Sequence, residues 1–196
     1  MPTYFKTLRR PLGNKLSFTE RPGCLRLYGE QSLSSLHQQS LVARRWQSFT
    51  FRAETEMEFS PKSFQQLAGL VLFYDTDNWQ YLYVSYDEEA KKRYIQVETA
   101  DINQFSYQSE RLFIENDQKE IKLAVEVKRD KGQFYYSFGT TWETIGELTP
   151  ADHLSDDYIK ANGKLAFTGA MVGICAQDFD DHSSYADFKY FNYQEK

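Results

Sequence analysis

Several things are scarce in this sequence, and each shortage closes off a class of function. Cysteine occurs twice in 196 residues, at Cys24 and Cys175. The two could bridge, but a lone pair with no signal peptide reads more naturally as two small apolar side chains. Histidine occurs three times, at His37, His153 and His182, and none has metal-ligand spacing with another His or a Cys. Clustered positive charge is missing too. Lys and Arg total 23 against 28 Asp and Glu, and the net charge of -5 with a pI near 5.3 argues against nucleic acid. Arg9-Arg10 and Arg44-Arg45 are only pairs, and Lys91-Lys92-Arg93 follows acidic Asp87-Glu88-Glu89, a pattern of charge-balanced solvated surface. The start, Met1-Pro2-Thr3-Tyr4-Phe5-Lys6, has no apolar leader core, and no run approaches the length of a membrane span. A soluble chain with no membrane or nucleic-acid partner is therefore expected. Glycine-rich phosphate loops, internal repeats, charge blocks and long Ser/Gly/Pro linkers are also missing, so residues 1–196 read as one domain.

What is present is aromatic and alternating. Phe, Tyr and Trp make up 16% of the chain, which favours β structure because flat rings pack well on a pleated surface. Period-two alternation puts Phe49, Phe51, Ala53, Thr55, Met57 and Phe59 on one strand face, with Arg52, Glu54, Glu56 and Glu58 on the other. Leu67 to Tyr74 is a continuous apolar run, as in a strand covered on both sides. Asp75-Thr76-Asp77-Asn78 has turn chemistry, and Trp79 to Tyr86 returns, so residues 67–86 read as a hairpin. Further strands are expected at Ile121–Val127, Phe134–Phe138 and Thr141–Ile145. One short helix is predicted from Pro150 to Tyr158, with Thr149 as N-cap, Pro150 at the first helical position and Asp152 in the first turn. About a dozen strands with regular turn signals predict an all-β, two-sheet antiparallel sandwich.

The carboxylates carry little information by themselves. A glycosidase needs an acid and a base or nucleophile flanking the bond, but 28 Asp and Glu make chance pairs unavoidable. His182 follows Asp178, Asp180 and Asp181, and the loop Gln177–Ser184 reads as a solvated acidic loop, with an oxygen-ligand cation site as the alternative. No metal and no cofactor is expected. Trp79 and Trp142 are candidate sugar-stacking rings, although most aromatics must fill the core.

Four segments form an ordered series. They are Thr7-Leu8-Arg9-Arg10-Pro11-Leu12; Glu20-Arg21-Pro22-Gly23-Cys24-Leu25-Arg26-Leu27-Tyr28-Gly29; Phe64-Gln65-Gln66-Leu67-Ala68-Gly69-Leu70; and Phe167-Thr168-Gly169-Ala170-Met171-Val172-Gly173, which runs through Gln177-Asp178 to Ala186-Asp187-Phe188-Lys189-Tyr190-Phe191. Nearly the whole chain thereby resembles the C-terminal β-sandwich lobe of two-domain bacterial β-xylosidases and α-L-arabinofuranosidases of glycoside hydrolase family 43. The resemblance implies a concanavalin A-like jelly roll. It implies as partner an N-terminal five-bladed propeller that carries the catalytic carboxylates and acts on xylo-oligosaccharides by inversion. No catalytic residue is then expected in this chain, because 196 residues could not hold both lobes. It also implies that Phe167, with Thr168 and Gly169, helps wall the sugar pocket of the propeller. An apolar ring there would exclude water and restrict the pocket to chain ends, and a neighbouring glycine lets the backbone turn sharply. Arg44-Arg45-Trp46 matches a family segment read as structural or interfacial, its guanidinium suited to a buried carboxylate. The resemblance further implies a bacterial cytoplasmic setting and the prospect of homo-oligomers. Two departures stand out. Family members carry an Asp-Phe-containing strand before the stretch matching Tyr4–Leu8, and Ser183-Ser184-Tyr185-Ala186 is bulkier than their Lys-Pro-Ala form. The alternative is a free-standing module that binds xylan-type oligosaccharides through exposed aromatics.

Overall fold

The structure, a computed structural model, describes residues 2–115 and 117–196. Two antiparallel sheets pack face to face. The larger runs, in spatial order, through β1 (Lys6–Thr7), β4 (Ser40–Arg45), β14 (Met171–Asp178), β6 (Gln66–Asp75), β7 (Asn78–Asp87), β8 (Lys92–Asp101) and β10 (Leu112–Phe113), with β9 (Gln104–Tyr107) paired to β8. The second runs through β13 (Glu143–Pro150), β12 (Lys131–Ser137), β11 (Glu120–Lys128), β5 (Thr50–Phe59), β15 (Tyr185–Glu195), β3 (Leu25–Tyr28) and β2 (Leu16–Ser17). β14 lies between β4 and β6, and β15 between β5 and β3, so the last two strands close both sheets around earlier ones. The result is the two-sheet antiparallel sandwich that the strand pattern predicts, and the concanavalin A-like form that the resemblance implies.

The alternation of β5 explains how the sheets meet. Phe51, Ala53, Met57 and Phe59 enter the inter-sheet core with Leu70 and Leu72 of β6 and Val125 and Val127 of β11. Thr55 shares that face, and its hydroxyl donates 2.6 Å to the Tyr190 carbonyl, freed by the bulge between Phe188 and Tyr190. Phe49 departs from the expected pattern. The strand begins at Thr50, because the Ser48 hydroxyl accepts from the Thr50 N–H at 3.0 Å and turns the chain first. Phe49 is left 82% exposed at the end of the sandwich.

The 67–86 hairpin is present as β6 and β7, with Asp75 Oδ1 accepting from the Asp77 N–H (2.9 Å) and Asn78 Nδ2 (2.8 Å) at the turn. β6 is covered on both sides: Leu67, Val71 and Phe73 belong to a second cluster, outside the larger sheet, with Leu33, Leu41, Trp79, Tyr81 and Cys175. Cys24 and Cys175 are free thiols; burial pushes the Cys175 thiol well above its ordinary range.

The helix starts later than its sequence signals suggested. Pro150 ends β13, a 3-10 turn follows at Ala151–Leu154, and α1 spans Asp156–Ala161. Ser155 is the N-cap, its Oγ accepting from the Tyr158 N–H at 3.2 Å, with Asp156 and Asp157 in the first turn. Thr149 instead sits buried in β13 and donates to Gln80 Oε1 at 2.6 Å. Burial gave Thr149 a better partner than a cap would have.

Candidate functional site

The segment from α1 to β14 is a pinned loop. Gly163 ends the helix in the left-handed region (φ 79°), and the Lys164 N–H returns to the Ile159 carbonyl at 3.2 Å. The Lys164 ammonium bonds the Asp77 carboxylate, tying the loop to the β6–β7 turn. Ala166 is buried in the core, while Leu165 and Phe167 on either side of it are 84% and 76% exposed. Phe167 precedes β14 and lies outside the core. Thr168 Oγ1 donates to the Tyr74 carbonyl (3.4 Å), and the Ala170 carbonyl accepts from the Trp46 N–H (3.1 Å). The Arg45 guanidinium donates to the Thr168 carbonyl. Gly169 takes a left-handed conformation (φ 65°), and a Cβ there would meet Arg45 Nη1 at 2.7 Å. Arg45 thus occupies the space that a side chain would need.

Phe167 overlooks an open hollow of about 870 Å³ whose wall includes Phe49, Trp46, Leu154, Ala170 and Arg45. Asp130, Asp152 and Asp156 bring negative charge to it, and Arg129 positive. Tyr74 donates to Asp156 Oδ1 at 2.7 Å; burial, then this carboxylate, pushes its phenol upward. The Trp46 Nε1–H is buried with no acceptor among the described residues. Phe49 and Phe167 together present an exposed apolar surface at this end of the sandwich.

Arg45 is a positioning residue, in keeping with the structural side of the structural-or-interfacial expectation for Arg44-Arg45-Trp46. Neither Arg44 nor Arg45 meets the buried carboxylate expected for the pair: Arg44 lies over the Tyr193 ring at 4.0 Å, and Arg45 holds the loop. Chymotryptic cleavage after Phe167 should speed up by about tenfold in Arg45→Ala, the loss of one charge-assisted hydrogen bond. Arg45→Lys should fall between. Unchanged cleavage would mean that the loop is held without Arg45.

The remaining candidates are scattered. Trp79 is only 4% exposed, its Nε1–H donating to Ser34 Oγ at 3.2 Å, so it offers no ring face to a sugar. That corrects its reading as a stacking residue; the sheet buries it on the side that alternation alone cannot tell from solvent. Trp142 is half-buried at the edge of the other sheet, with the Arg52 guanidinium 4.6 Å over its ring. The two tryptophans are not brought together. The Gln177–Ser184 loop is also less solvated than expected. Asp178 is fully buried, and its carboxylate accepts from the Ser184 N–H (2.9 Å) and the Asp180 N–H (3.1 Å). Among the described residues no group of three or more His, Cys, Asp or Glu is arranged to hold a metal.

Residues 1–194 match the family described as the β-xylosidase C-terminal concanavalin A-like domain. The chain belongs to that family. It is 44% identical over 195 residues to the Beta-xylosidase of Bacillus subtilis (strain 168), covering 98% of this chain and 36% of that protein. The Xylosidase/arabinosidase 43B of Humicola insolens is 34% identical over 195 residues, covering 97% and 36%. The crystal structure of xylan beta-1,4-xylosidase from Bacillus halodurans C-125 superposes with a TM-score of 0.93 at 36% identity, covering 100% of this chain and 37% of that one. The chain thus spans about a third of the length of the relatives it matches, and corresponds to the C-terminal lobe of β-xylosidase proteins in which more chain is present.

Proposed function

We propose that this chain is the accessory lobe of an exo-acting β-xylosidase. In this reading it docks its Phe49–Phe167 end on a five-bladed catalytic propeller and lends Phe167, Thr168 and Gly169 to the rim of the sugar pocket. The observation that carries the reading is membership of a C-terminal lobe family by a chain covering about a third of its relatives. The geometry supports it. A ring held out from the core by a loop clamped at Arg45, Tyr74 and Trp46 is pre-organised to wall a neighbouring cavity. The open hollow, walled by Phe49 and Phe167, suits a partner surface. The propeller supplies the acid and base; this lobe excludes water and fixes the sugar end. A bacterial cytoplasmic setting belongs to the proposal, and two free thiols suit a reducing compartment.

The test adds this chain to the separately expressed remainder of the Bacillus subtilis relative, following association and hydrolysis of an aryl β-xyloside. Association with gain of activity is the expected result. Failure to associate would overturn the docking reading, whether or not the chain binds sugar by itself.

A further inference from the structure

The outward face of the larger sheet, on β7 to β10, carries a group of side chains that the docking reading does not use. In register, Tyr81 lies opposite Glu98 and Tyr83 opposite Gln96, with Tyr107 on the far side of Glu98 and Phe113 beside Tyr94. The rings form a continuous row: Tyr81 and Tyr83 centroids are 5.3 Å apart, Tyr83 and Tyr94 6.3 Å, Tyr94 and Phe113 6.4 Å. Tyr81, Tyr83 and Tyr94 are buried and make a rigid floor, with the Tyr83 hydroxyl donating to Gln96 Oε1 at 3.2 Å. Phe105, Tyr107 and Phe113 stand exposed above it, Tyr107 at 63%.

Glu98 is the odd member. It is half-buried, and its carboxyl is pushed above the ordinary range by burial alone, with no hydrogen bond or cation offsetting the cost among the described residues. The nearby cation, Arg111, lies 4.7 Å over the Tyr94 ring and is already paired with Asp87 at 2.5 Å. A half-buried acceptor without a donor, beside exposed rings, calls for a ligand that brings neutral donors and an apolar face. Sugar hydroxyls and the C–H face of a pyranose bring both. An anionic ligand would face the Glu98 charge, and the nearby cation, Arg111, is already paired with Asp87.

We infer that Glu98, Tyr107 and Phe113 form a binding site for a neutral sugar chain, at the β8–β10 edge and apart from the Phe167 loop. Tyr107 and Phe113 stack on the rings of the ligand, and Glu98 accepts from its hydroxyls. The site does not depend on the docking of this lobe to a propeller.

The isolated chain provides the test, by calorimetric titration with xylohexaose, cellohexaose and soluble arabinoxylan. Saturable binding to at least one is expected. Tyr107→Ala should weaken it by about tenfold, the loss of one stacked ring. Glu98→Gln, which keeps shape and fold but loses the charged acceptor, should weaken it several-fold. Phe167→Ala should leave it unchanged. Absence of binding to all three ligands would overturn the site, as would binding that Tyr107→Ala and Glu98→Gln both leave intact. So would a chain that dimerises in sedimentation and is made monomeric by Tyr107→Ala, since the face would then be a contact between copies.

Discussion

Phe167→Ala is expected to lower kcat/KM for an aryl β-xyloside by about tenfold or more in the assembled lobes, about 1.4 kcal/mol of transition-state stabilisation. The side chain lies outside the core and is largely exposed in the isolated lobe. Its removal therefore leaves no cavity, and the melting temperature of this chain should not move. What is lost is an apolar wall on a pocket where water weakens every polar contact with the sugar. Phe167→Leu should retain part of the effect by keeping apolar bulk. Association with the propeller should survive, because Phe49 and Leu165 remain. Normal kinetics in Phe167→Ala would remove Phe167 from the pocket while leaving the assignment of the lobe to its family untouched.

The largest stability effect is expected at Asp187. On β15 it lies opposite Arg26 of β3 and Glu58 of β5. Arg26 grips its carboxylate with two bonds, Nε to Oδ1 at 2.8 Å and Nη2 to Oδ2 at 2.9 Å, and Arg21 Nη1 adds a third at 3.0 Å. Burial pushes the Asp187 carboxyl up, but the Arg26 and Arg21 bonds outweigh it and hold it below its ordinary value of 3.8. Asp187→Asn breaks the fork while leaving two guanidinium groups packed at the sheet surface, at a cost of about 3 kcal/mol. For a chain of this size the melting temperature should fall by about 10 °C. The sign of the pH dependence follows from the depressed folded value. The contribution is complete above the unfolded value and disappears as pH falls through the lower folded one. Urea unfolding should therefore separate parent and variant at neutral pH, with the gap closing only in strong acid. A gap that persisted there would mean that packing, not charge, holds this corner.

Much of this was legible from residue order. The alternation of β5, the apolar run of β6 and the Asp75–Asn78 turn each state a local preference that the fold honours, because side-chain period and turn chemistry are set by the backbone itself. The ordered segments gave the family. The errors have two causes. Phe49 continued a pattern that Ser48 had already broken; Thr149 looked like a cap until burial offered it Gln80. Trp79 and Asp178 looked available and are buried. Thr149 and Trp79 were taken by partners distant in sequence, whereas Phe49 and Asp178 were settled by loop hydrogen bonds within a few residues.

The sequence by itself determined the sandwich class, the hairpins and the lobe family, since these rest on periodicity and ordered motifs. Only the tertiary structure decided which aromatics face water, that Arg45 clamps the Phe167 loop, and that Glu98 stands unpaired beside Tyr107. Exposure and pairing depend on which strands become neighbours, and β14 and β15 settle that by inserting between strands formed by residues far earlier in the chain.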